Sequence, residues 1–290
     1  MNFTSRALDF ERIFFTTLLI FTLIVASSSQ AQGGNILLVS DNAYAGTRAG
    51  TGDPETDMVS FLTGLGHTVT RATGIGGSAQ FREGNGGSAT AAAVGADLIL
   101  VSRVTNSGSY DEGNSGANWN AISTPLLLLS PYLSRGSRWQ WLPGGNAIDQ
   151  GAVSDLVILE PGHAFVSGLG SNILSPATTF SRNDLTDPGN GTLIATTPDG
   201  DVALVEWAAG TQFQPGGQVA GGHRVLMGGL RYHEDDGAPV EFSAYSANGL
   251  AMLGQTIDTM LIPEPSSMFL VVAGALVTLG VRSRRGRRPT

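Results

Sequence analysis

Residues 35–40 read Asn35-Ile36-Leu37-Leu38-Val39-Ser40, and residues 97–102 read Asp97-Leu98-Ile99-Leu100-Val101-Ser102. Each places four consecutive aliphatic residues between polar ends, too short for a buried helix and without the alternation of a half-exposed strand. Such runs are strands covered on both faces, the signature of a parallel sheet. His67 to Ala72 supplies a second strand, and Pro125 to Ser130, with four leucines in a row, a fourth. Between the first two, Asp53 serves as an N-cap with Pro54 at the first helical position, and Met58, Phe61, Leu62 and Leu65 recur on one face before Gly66. That is an amphipathic helix. A short alanine-rich helix over 88–95 precedes the third strand. Alternation of strand and helix at this spacing predicts an α/β fold with a doubly wound, mainly parallel sheet.

Further along, 191–197 and 202–208 form a hairpin across Pro198-Asp199-Gly200-Asp201, whose Pro and Gly suit a turn. Arg224 to Gly229 is one more strand. A last helix over 241–261 carries Ala247, Leu250, Leu253, Ile257 and Leu261 as a stripe. The glycine-rich stretches 74–87 and 106–118 read as mobile surface loops. Residues 33–262 thus make one domain of ordinary size.

Composition removes several chemistries. The 290 residues include no cysteine, which excludes disulfides, thiol nucleophiles and cysteine-bound zinc. All 16 basic residues are arginine, so there is no lysine for a phosphate-binding loop or a Schiff base. The body holds nine arginines against 21 acidic side chains, a net charge of −12 that repels phosphate backbones and excludes nucleic acid as a partner.

The two ends differ from the body. An apolar run from Ile13 to Ala26 follows Arg6 and Arg12 and precedes small residues up to Ala31. This order predicts a secretory signal peptide over 1–31, read by Sec-type export machinery and a signal peptidase. The alternative is an uncleaved membrane helix, for which the run falls short of the ~20 residues required. At the other end, Pro263-Glu264-Pro265 leads into the apolar stretch from Met268 to Val281 and then a cluster containing Arg282, Arg284 and Arg285. At ~1.5 Å per helical residue this stretch reaches about 21 Å, a marginal match to a ~30 Å hydrocarbon core. Its flanking arginines stay on the cytoplasmic side, so the expected membrane helix within the sorting and anchor segment 263–290 leaves the body facing the periplasm.

Those three tail elements, in that order, resemble the PEP-CTERM sorting signal. The resemblance implies an exosortase-type membrane protease as partner, in a Gram-negative cell that sends such proteins to its surface or to an exopolysaccharide matrix. The body is similar to the flavodoxin-like fold of the class I glutamine amidotransferase-like proteins, and within it to ThuA-like relatives. The matching segments are 35–40, 97–102, Pro161-Gly162-His163-Ala164-Phe165-Val166-Ser167-Gly168-Leu169, and Arg224 to Leu230. The nucleophilic cysteine of the amidotransferases is missing, so the resemblance implies fold more than activity.

Ligands of such sheets bind outside the carboxyl ends of the strands, which selects Asp41 and Asn42, Ser102 to Ser107, and Ser130 to Arg138. One candidate is a serine hydrolase, with Ser130 as nucleophile and His163, Glu160, His223 or Glu206 as partners. Pro131 follows the serine directly, and no Gly-x-Ser-x-Gly elbow exists. A second is a divalent metal held by Glu160 with His163, or by His223 with His233, Glu234, Asp235 and Asp236, although no ligand-spacing motif is met. A third is a sugar cleft built from Tyr110, Trp119, Trp139 and Trp141, edged by Arg103, Asn106, Arg135 and Arg138, since flat apolar rings and planar hydrogen-bonding groups suit a carbohydrate. The same rings are equally suited to packing beneath a loop, and the arginines to pairing with a nearby Asp or with Glu160. The resulting expectation is an exported envelope or matrix protein without cofactor or assigned metal, its body a non-catalytic carbohydrate-binding or structural module. The alternative is a ThuA-like or serine-type hydrolase acting on sugars.

Overall fold

The computed structural model describes residues 33–40, 55–72, 93, 95–103, 105–148, 155–169, 173–174, 180–230 and 245–262. The chain parts into two units at Gly33–Gly34, and the second contains every described strand and helix. In chain order these elements are β1 (Asn35–Val39), α1 (Thr56–Gly64), β2 (Thr68–Ala72), β3 (Leu98–Val101), a 3-10 turn (Ser107–Ser109), α2 (Ser115–Ala121), β4 (Leu126–Leu128), α3 (Pro131–Ser134), β5 (Ala147–Ile148), β6 (Leu156–Ile158), β7 (Ile173–Leu174), β8 (Phe180–Asn183), β9 (Thr192–Thr196), β10 (Val202–Trp207), β11 (Arg224–Met227), β12 (Gly229–Leu230) and α4 (Ala247–Leu261).

Among the described residues the main sheet has nine strands in the order β2-β1-β3-β4-β11-β10-β9-β6-β7. The first five are parallel, with Leu37 opposite Ile99 and Leu127 opposite Val225. From β10 onward every pairing is antiparallel, and the expected hairpin is the β9–β10 pair. The sheet is therefore mixed, its parallel half made by the aliphatic runs. β5, β8 and β12 form a second, three-stranded antiparallel sheet.

The period of two in the strands divides their side chains between two cores. Ile36, Leu38, Leu98, Leu100, Leu127, Val225 and Met227 point to one face, where Met58 and Leu62 of α1 and Met252, Leu253, Ile257 and Met260 of α4 cover them. Leu37, Val39, Ile99, Val101, Leu126, Leu128 and Leu226 point to the other, beneath Tyr110, Trp119 of α2, Leu133 of α3, Trp139 and Trp141. Helices thus lie on both faces.

Several boundaries differ from expectation. Asp53 and Pro54 lie outside the described residues, and α1 begins at Thr56 with Glu55 at the N-cap. The Glu55 side chain makes no cap bond and is instead a partner of the Ser102 hydroxyl. The stretch 106–118 is not a plain surface loop. The Asn106 side chain accepts from the Gly108 amide and starts the 3-10 turn, and α2 follows because Trp119 and Asn120 are drawn into the core. The last helix starts at Ala247, where the Ser246 hydroxyl accepts from the Gly249 amide, and its buried stripe includes Met252, Thr256 and Met260. The helix expected over 88–95 lies almost wholly outside the described residues, as do the loop 74–87, the signal segment 1–31 and the tail helix over 263–290. Among the described residues no helix is long and apolar enough to cross a membrane.

Candidate functional site

The carboxyl end of the parallel strands is polar. Ser40 and Ser102 directly follow β1 and β3, Ser130 stands two residues beyond β4, and all three are buried. Arg103 donates from Nε to Ser181 Oγ (3.1 Å) and lies 4.5 Å over the Tyr132 ring, while Arg135 sits 5.2 Å from the same ring and donates to the Tyr132 carbonyl. Arg138 pairs with Asp111 at 2.6 Å, so the loop arginine has its carboxylate partner. Burial, and then the neighbouring Arg138, push the Arg135 pKa down. Asn106 is exposed at this edge. Asp41 and Asn42 lie outside the described residues.

The aromatic group is a core. Tyr110, Trp119, Trp139 and Trp141 are all 0% exposed. Trp119 and Trp139 stack at 5.2 Å, Trp139 meets Trp141 at 5.9 Å, and Trp141 stacks on Phe213 at 5.3 Å with Trp207 edge-on at 5.5 Å. Two indole donors are satisfied from within: Trp139 Nε1 donates to the Tyr110 carbonyl (2.9 Å) and Trp141 Nε1 to Asn120 Oδ1 (2.6 Å). No ring face of these four meets solvent, so the expected stacking platform for a sugar is corrected to a buried cluster. The driving force is the apolar area that four large rings remove from water.

Ser130 is at the N-cap of the four-residue α3 with φ −102° and ψ 98°, ordinary extended backbone rather than a strained elbow. Its hydroxyl is fully buried and has no hydrogen-bond partner among the described residues. His163 is elsewhere. Through Nε2 it meets Glu206 Oε1 at 2.9 Å, and His223 Nε2 meets Glu206 Oε2 at 3.1 Å. His223 precedes Arg224, which is opposite Leu126 in the β4–β11 ladder. The histidine is therefore level with Pro125, five residues from Ser130, or roughly 16 Å at ~3.3 Å per residue. Serine and histidines occupy opposite ends of the sheet, and the expected Ser130–His163 pairing does not form. Glu160 is exposed on the turn before His163, whose amide its carbonyl accepts at 2.9 Å.

The His163–Glu206–His223 group is held by local folding. After β6, successive turns bury Phe165 and Val166, which fixes the segment against the sheet and aims His163 at β10. Phe165 packs edge-on to His163 at 4.5 Å and stacks with His223 at 6.2 Å. Burial alone raises the Glu206 pKa, but the hydrogen bonds from His223 and His163, with their charges, outweigh it and leave the carboxyl below its ordinary 4.5. Such a depressed carboxylate stabilises the fold at pH above 4.5, and the contribution is lost as pH falls through the folded-state value. We expect Glu206→Gln to remove about 1 kcal/mol at pH 7 and to flatten the acid limb of stability against pH, measured by urea unfolding from pH 7 to 3. Among the described residues no group of three or more His, Asp and Glu is arranged to hold a metal ion. His233, Glu234, Asp235 and Asp236 lie outside them. In the sequence His163, Glu206 and His223 read as partners of Ser130, and their grouping with one another is missed; the available signal is Glu206, a charge inside the otherwise apolar run from Val202 to Trp207.

Beyond these sites the chain continues from α4 into the Pro-Glu-Pro tail at its Leu261–Ile262 end. Residues 261–285 match the PEP-CTERM protein-sorting motif. The PEP-CTERM match contains Pro263, Glu264, Pro265, Arg282, Arg284 and Arg285, all outside the described residues. It marks an exported protein that exosortase and the general export machinery handle. No curated protein and no solved structure matches the chain.

Proposed function

We propose that this exported protein is a non-catalytic component of the cell envelope or its polysaccharide matrix, with three segments: a signal peptide over 1–31, a body over 33–262, and a sorting and anchoring tail over 263–290. The tail holds the body on the periplasmic side of the inner membrane until an exosortase-like protease cuts it, after which the body passes to the surface or matrix. The sorting motif at 261–285 carries this reading. A flavodoxin-like body is favoured by the strand order of the parallel half, β2-β1-β3-β4-β11, with helices on both faces, and a ThuA-like relationship rests on the sequence segments alone. The separation of Ser130 from His163 supports a non-catalytic role. With the four rings in the core, any polysaccharide contact rests on the polar rim of Asn106, Arg135 and Arg138.

The test is a comparison of the full chain with a variant in which Pro263, Glu264 and Pro265 are all alanine, in a host carrying an exosortase. Wild type is expected as a shortened form outside the inner membrane, and the variant as a full-length membrane-retained form. Equal processing of both would remove the reading. The hydrolase alternative uses the other edge of the sheet, where Glu206 orients two imidazoles. Turnover of sugar esters or glycosides that disappears in His223→Ala would favour it.

A further inference from the structure

α4 runs without interruption to Leu261, and the Ile262 amide still reaches back to the Thr259 carbonyl at 3.3 Å. Pro263 is the next residue, so no spacer separates the folded body from the Pro-Glu-Pro triplet. At ~3.3 Å per extended residue the triplet ends within about 10 Å of Ile262. The last turn of α4 is also pinned. Ile257 is fully buried and Met260 only 2% exposed. Leu261 lies on Gly34 so closely that a Cβ there would come within 2.6 Å of Leu261 Cδ2. Gly34 is fixed in turn, its amide donating to His67 Nδ1 (3.1 Å) and its carbonyl accepting from the Thr68 amide (3.0 Å). His67 Nε2 stands 3.6 Å from Asp258 on α4.

A protease cleft takes its substrate as an extended segment, and a helical turn packed on a sheet must open first. When opening is fast relative to cleavage, the cutting rate follows the population of the open form. We propose that the packed end of α4 controls processing: the membrane protease meets the body at the Gly34–Leu261 junction, and cleavage waits on fraying of the last helical turn. This rests on the exosortase reading above and adds a regulatory element to it.

The experiment follows processing of the full chain by pulse-chase in the exosortase-bearing host. One variant inserts eight Gly and Ser residues between Ile262 and Pro263. The other is Met260→Ala, which leaves the tail sequence intact and removes the buried side chain that holds the last turn of α4 in the core, with folding checked by circular dichroism. Both are expected to be processed at least threefold faster than wild type. A rate unchanged or slowed in either variant, with wild type processed normally, overturns the inference. Absence of processing in wild type, equal to the triple-alanine control, overturns the exosortase reading and this inference with it.

Discussion

Replacing Arg224 by methionine is expected to lower the stability of the body by about 4 kcal/mol, from the charge-assisted bonds lost and from the Thr124, Trp119 and Ile122 carbonyls deprived of this donor, while Asn120 and His223 keep the Gly221 and Leu126 amides. Arg224 is 0% exposed, and among the described residues it pairs with no carboxylate. Its guanidinium donates instead to five backbone carbonyls: Thr124 (3.0 Å), His223 (3.1 Å), Trp119 (3.3 Å), Asn120 (3.2 Å) and Ile122. Three of these belong to the end of α2 and its cap, where the last carbonyls have no helical partner and the helix dipole is negative. One cation therefore closes a helix terminus and attaches it to the first residue of β11. Burial pushes the Arg224 pKa down to about 9, which leaves it protonated at neutral pH. Arg224→Lys keeps the charge but not the planar fork, and about half the loss is expected. The midpoint of urea unfolding checks both variants. A shift equivalent to less than ~1 kcal/mol for the methionine variant would mean that water reaches these carbonyls.

How much of the fold was legible in advance depends on the length of each element. The runs at 35–40, 97–102, 125–130 and 224–229 announced β1, β3, β4 and β11, because a strand buried on both faces must be aliphatic throughout. β5, β7 and β12 have two residues each and β6 three, too few to show a period, and their pairing is fixed by tertiary contacts. The 106–118 region hid α2 behind Gly, Ser and Asn, residues that favour turns when nothing else acts. There Gly116 has a steric reason, since a Cβ would lie 3.2 Å from the Arg138 carbonyl. The carboxyl-edge rule found the serines and arginines. It passed over His163, Glu206 and His223 because they gather at the opposite end, on the antiparallel side of the sheet. A signal existed for both charged sites: Glu206 and Arg224 stand in strands whose other residues are apolar, and a charge kept there needs partners.

The aromatic cluster carries the second large effect. The density of Trp and Tyr between 110 and 141 is a true signal, but burial and exposure produce the same sequence pattern. What separates them is where the polar groups between the rings point. Asn120 is buried, and it accepts from Trp141 Nε1 while donating to the Trp139 carbonyl (2.7 Å) and to Gln218 Oε1 (2.6 Å). Trp141→Ala removes a fully buried indole stacked on Phe213 and strands the Asn120 oxygen, so a loss of about 4 kcal/mol is expected by urea unfolding. A lectin platform predicts the reverse, a stable protein with weakened polysaccharide binding. Asn120 also links this cluster to Arg224, which bonds its carbonyl. Effects of residues sharing such a hub do not add. The double variant Trp141→Ala/Arg224→Met is therefore expected to lose at least ~1 kcal/mol less than the two single losses together, since once α2 has loosened at one end its other contacts are already weakened. Strict additivity would mean that the rings and the guanidinium hold α2 independently.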